Sequence, residues 1–81
     1  MGTDVLTAAR AEALFTSPLS AASRPGRPEV EAAICAAVRA NGGIHGCAVR
    51  VAGEYGDHPE TAPARMRWAL RVVHAVYPRV P

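Results

Sequence analysis

Residues 28–43 run Pro-Glu-Val-Glu-Ala-Ala-Ile-Cys-Ala-Ala-Val-Arg-Ala-Asn-Gly-Gly. Within them Val30, Ala33, Ile34, Ala37 and Val38 fall at i, i+3, i+4, i+7 and i+8, the spacing of one apolar face of an α-helix. Pro28 suits the first turn, where its missing N–H costs nothing, and Glu29 and Glu31 suit the positive end of the helix dipole. Asn41, Gly42 and Gly43 accept the left-handed backbone of a helix C-terminus, so the helix stops there.

C-terminal to this helix, the spacing predicts a third one from about Ile44 to Tyr55, with Ala48, Val51, Ala52 and Tyr55 on one face. Gly46 and Gly53 each lower its propensity by about 1 kcal/mol relative to alanine, so packing must hold it, and they permit close approach of a neighbour. Gly56 with Asp57 is expected to end it. A last helix is expected from near Pro59 to Tyr77, stopped by Pro78. At 100° per residue, Met66, Ala69, Leu70, Val73, Val76 and Tyr77 lie within about 80° of Ala62, one wide apolar stripe. N-terminal to residue 28, Thr3 or Asp4 serves as N-cap for a short helix through Val5, Leu6, Ala8, Ala9, Ala13 and Leu14 to Phe15. Residues 16–27 hold Ser17, Pro18, Ser20, Ser23, Pro25 and Gly26, a loop composition. The expectation is therefore an all-α small bundle: residues 1–27 as a short helix and Pro/Ser-rich loop, mobile or loosely docked, and residues 28–81 as a compact domain of three main helices.

Composition narrows the function. Seventeen alanines against four aromatics in 81 residues mean a thin core of small, close-packed side chains. A deep substrate pocket does not suit such a chain, and no nucleophile elbow, Gly-rich phosphate loop or catalytic carboxylate pair occurs, so no enzyme is expected. Asp57, His58 and Glu60 are neighbours in a turn and point in different directions. Asp57 is better suited to capping the following helix. Cys35 and Cys47 are expected as free thiols, and His45-x-Cys47 with a distant Cys35 lacks zinc-ligand spacing, so neither metal nor cofactor is expected. No apolar run approaches the roughly 20 residues of a membrane span and no leader pattern opens the chain, so a cytoplasmic location is expected. The formal net charge is +2, but residues 1–31 carry −1, residues 32–57 carry 0 and residues 58–81 carry +3, with Arg65, Arg67, Arg71 and Arg79 against Glu60. All nine basic residues are arginine, a bias that a GC-rich coding sequence would also produce.

Residues 51–69, about a quarter of the chain, resemble the helix-turn-helix of DNA-binding proteins. Ala52 matches the small residue at the helix crossing, Tyr55 the apolar residue before the turn, Gly56 the turn glycine, and Ala62 and Met66 the buried anchors. Asp57 and Pro63 depart from the pattern: the family usually has an aliphatic residue after the turn glycine, and Pro63 lies within the second helix. Either that helix starts at Pro59 and loses an early hydrogen bond, or Thr61 is its N-cap. The resemblance implies that the last two helices form a helix-turn-helix, that double-stranded DNA is the partner, and that His58, Glu60, Thr61 and Ala64 approach base edges. Arg67, Arg71 and His74, at about 140°, 180° and 120° from Ala62, would form a basic ridge, with Arg65 reaching a flanking phosphate. The same ridge also suits an ordinary solvated face. The alternative class of function is a protein-interaction module or small accessory subunit, a homodimer or hetero-complex formed through Trp68 and Tyr77 on the long C-terminal helix. Trp68, at about −120°, also suits internal packing.

Overall fold

The computed structural model describes residues 4–78. Four helices follow in order, α1 (Val5–Thr16), α2 (Arg27–Ala40), α3 (Ile44–Asp57) and α4 (Ala62–Val76), with no strand among the described residues. The protein is a small all-α bundle.

Local chemistry explains each boundary. The Asp4 carboxylate accepts the Thr7 N–H at 2.7 Å and starts α1. Thr3, the other cap candidate, lies outside the described residues. At the far end the Thr16 hydroxyl donates to the Ala13 carbonyl and the Ser17 hydroxyl to the Leu14 carbonyl, at 2.8 and 2.6 Å. Pro28 occupies the first turn of α2, and Gly42 and Gly43 take φ of 74° and 117° at its end. That left-handed turn lets the Gly43 N–H reach back to the Val38 carbonyl at 2.8 Å. Gly56, by contrast, is helical, so α3 runs two residues past Tyr55 and ends at Asp57. The chain then turns through His58–Thr61, and α4 begins at Ala62 with Thr61 as N-cap and Pro63 in the first turn. Of the two starts open for this helix, the later one is realised, because it puts proline where no N–H is needed. Asp57 consequently closes α3 and does not cap α4.

The centre of the bundle is α1. Ala11, Ala13, Leu14 and Phe15 are all buried and the helix packs against each of the other three, where the sequence suggested loose docking of residues 1–27. The physical reason is visible in its composition: from Ala11 to Phe15 only Glu12 is polar, and a helical turn apolar nearly all round is stable only when surrounded, while Val5 and Leu6 of the first turn stay exposed. Helix α4 runs antiparallel to it, since Arg65 meets the end of α1 while Tyr77 meets Arg10. The expected faces of α2 and α4 turn inward, with Val30, Ala37, Ala62, Ala69 and Val73 buried. On α3 the buried pair is Cys47 and Val51, whereas Ala52 is exposed and Tyr55 is 38% exposed. The face predicted for α3 is thus rotated.

Asn41 ties three helices together. Its amide donates to the Thr16 hydroxyl at 3.1 Å and the Ala37 carbonyl at 2.8 Å, and its oxygen accepts from Arg50 at 3.4 Å. Gly46 lies against it: a Cβ at that position would overlap the Asn41 backbone carbonyl, whereas one at Gly53 would meet nothing. Gly46→Ala is therefore expected to destabilise the protein by about 2 kcal/mol, the scale of overpacking against a backbone that must shift. Gly53→Ala should gain up to about 1 kcal/mol from helix propensity. Thermal melts of the two variants should move in opposite directions.

Candidate functional site

The outer side of α4 gathers most of the side chains singled out from the sequence. Ala64, Arg67, Arg71 and His74 are exposed and share a sector of about 80° on the helix. His58, Glu60 and Thr61 are exposed in the preceding turn, where the His58 Nδ1 lies 4.0 Å from a Glu60 carboxylate oxygen. Arg27–Glu31 is the one arginine–carboxylate pair among the described residues, so neither Arg67 nor Arg71 is neutralised by an acidic neighbour. Arg79 lies outside the described residues.

Arg65 points the other way. Its Nε donates to the Phe15 carbonyl at 3.1 Å, Nη1 to Leu19 at 2.7 Å and Nη2 to Ser17 at 2.8 Å. The guanidinium also stands 4.3 Å from the centre of the Trp68 ring. Burial lowers its pKa from the usual arginine value. The expected phosphate contact is corrected to an internal one: the cation closes the carbonyl end of α1, where both the unpaired C=O groups and the helix dipole attract it.

Of the two expected partner contacts, Trp68 is engaged inside, while Tyr77 is half-buried and held by two arginines. Trp68 is 4% exposed, and its indole N–H donates to the Ser23 carbonyl at 3.4 Å. Arg10 lies 3.7 Å and Arg27 4.8 Å from the Tyr77 ring centre. Burial raises the Tyr77 pKa, and the nearby Glu31 carboxylate adds to it while the two arginines oppose it. This cation–π arrangement pins the end of α4 to α1 and α2.

The residues matched to the helix-turn-helix are placed differently from the pattern. Ala52 faces solvent, Gly56 sits inside α3 with negative φ, and α3 and α4 touch only sparsely because α1 lies between most of their length. Ala62 is buried and Met66 half-buried, in a core cluster shared by residues of all four helices.

Two concavities flank α4. One, of about 390 Å³, is polar and lies between the end of α1, α3 and the start of α4, with Arg50, Glu54 and Thr61 on its walls. The other, of about 490 Å³, lies where residues 21–25 cross α4. Trp68, Val72, Ala75 and Val76 line it together with Arg24 and Arg71. Nothing local in the sequence relates Arg24, in the loop of residues 16–27, to Arg71; the fold puts both in the lining of this concavity. No three His, Cys, Asp or Glu side chains cluster as a metal group among the described residues. Both cysteines are free, Cys35 exposed and Cys47 buried. No helix of the described residues is long and apolar enough to cross a membrane. Comparison with family models, with curated proteins and with solved structures gave no match.

Proposed function

We propose that this chain is a non-enzymatic protein-binding module that works through the solvent face of α4. The observation that carries the reading is the row Arg67, Arg71 and His74, exposed on one side of a helix whose other arginine, Arg65, is held inside. Cations without acidic neighbours on a rigid helix favour an acidic partner and speed its approach.

Double-stranded DNA is the second reading, favoured by the same row together with Ala64 and the exposed His58, Glu60 and Thr61 at the helix start. Two permanent cations would neutralise about two phosphates, giving a salt slope of only about −2 in log K, and Glu60 would face phosphates with the wrong sign. A protein partner is favoured because it can combine those two charges with apolar contact. The separating experiment titrates the labelled protein with random-sequence duplex DNA and with an acidic Glu/Leu copolymer from about 50 mM salt upward. Shifts at Arg67, Arg71 and His74 that persist with the copolymer as salt rises, and weaker ones with DNA that vanish, are expected. DNA binding that follows the shallow salt slope, with the copolymer inert, would transfer the assignment to nucleic acid.

A further inference from the structure

We infer that the groove between residues 21–25 and α4 seats a large apolar side chain from an acidic segment of a partner protein. The inference rests on the protein-binding reading above and adds to it a site and a partner chemistry. The groove exists because its walls are small. Ala22 and Ala75 leave space that larger side chains would fill, while Val72 and Val76 supply an apolar floor. Its outer wall is a built turn rather than a slack linker. The Ser23 N–H and hydroxyl both reach the Ser20 carbonyl, at 3.0 and 2.6 Å, the Ser20 hydroxyl accepts the Ala22 N–H at 3.0 Å, and Trp68 holds the Ser23 carbonyl from below. The cavity is thus present before any partner arrives, and its roughly 490 Å³ falls within the ~300–1,000 Å³ of ligand-sized sites.

Charge selects the occupant. Arg24 and Arg71 are the charged residues of the lining, no acidic residue shares it, and neither arginine has an acidic side chain at ion-pair distance among the described residues. An apolar floor beneath two free guanidinium groups complements a leucine or phenylalanine flanked by carboxylates, which arginine can grip through paired hydrogen bonds. A nucleic acid backbone would use the cations and leave the floor empty. A purely apolar segment would leave the arginines unused.

The test is a selection from displayed short peptides randomised over Glu, Gln, Leu, Phe and Ser, followed by affinity measurement on the full chain. Trp68, the single tryptophan, reports both binding and folding. Enriched peptides are expected to pair Leu or Phe with Glu in preference to the isosteric Gln. Their affinity should fall at least about tenfold in both Arg71→Glu and Ala75→Glu, two exposed positions, with the melting temperature little changed. Enrichment of Glu-rich peptides lacking Leu and Phe, with Ala75→Glu binding as well as the parent, would remove the groove and leave the α4 face as the binding surface. No enrichment, or enriched peptides indifferent to both Arg67→Glu and Arg71→Glu, would overturn the groove and the protein-binding reading together. Concentration-dependent dimerisation abolished by Ala75→Glu would overturn the inference by giving the groove to a second copy.

Discussion

Leu14→Ala should cost about 3–5 kcal/mol and leave much of the protein unfolded at 37 °C. Leu14 has 0% exposure and joins the main core cluster with Phe15, Val30, Trp68, Ala69 and Val73. Leucine-to-alanine changes in cores cost roughly 2–5 kcal/mol, the higher values where the surroundings cannot collapse into the void. Here they cannot: Ala11, Ala62 and Ala69 are already the small members of the cluster and have no side-chain freedom with which to fill a cavity. At roughly 0.05–0.15 kcal/mol per residue, a chain of this length has about 4–12 kcal/mol of total stability, so one such change removes a large share. Urea unfolding followed by Trp68 emission measures it as a fall in midpoint. The same logic predicts that a fragment of residues 28–81 loses cooperative unfolding, since the cores of α2, α3 and α4 face α1 more than one another. A loss below about 1 kcal/mol for Leu14→Ala, or a cooperatively folding fragment, would return α1 to the periphery.

Arg65→Ala should cost about 3 kcal/mol, while Arg67→Ala, two residues away, should cost less than about 0.5 kcal/mol. Arg65 makes three charge-assisted bonds to Phe15, Ser17 and Leu19 and stacks on Trp68. Hydrogen bonds to charged groups are worth about 1.5–3 kcal/mol in favourable settings, and partial exposure keeps the three from summing. The larger part of the loss is what remains behind: carbonyls at the end of α1 stripped of their donor. Lysine should recover less than half, because one ammonium on a flexible stem cannot span three carbonyls as the guanidinium fork does. Arg67 is an exposed side chain with no ion pair, so its removal falls in the range of neutral surface changes. Equal costs for the two arginines would contradict the division between an internal clamp and an external contact. Denaturation midpoints decide the matter without any ligand.

This division was not legible in the charge count. Four arginines near the C-terminus looked alike in the sequence, and angular position alone put Arg65 only at the edge of the apolar stripe. What turns it inward is the position of residues 15–19, which approach α4 from some fifty residues away in the chain. Trp68 illustrates the same limit. Its angle, off the centre of the stripe, suits internal packing first and a partner contact second, and the loop carrying Ser23 closes it over. The turn glycine of the helix-turn-helix pattern also depended on context. Glycine permits a left-handed turn without requiring one, and only Gly42 and Gly43 take positive φ among the described residues.

The amino-acid sequence by itself determined the helical class, the first turn of α2 around Pro28 and its end at Asn41-Gly42-Gly43, and the inward faces of α2 and α4, because capping chemistry and 3.6-residue periodicity are local. Tertiary structure alone decided that α1 is the centre, that α3 buries Cys47 and Val51 rather than Ala52 and Tyr55, and that Arg24 and Arg71 line one groove. Those outcomes depend on which elements pack together. An alanine-rich helix carries too few bulky side chains to announce its neighbours, so the choice among nearly equivalent small faces is made by the packing of the whole bundle.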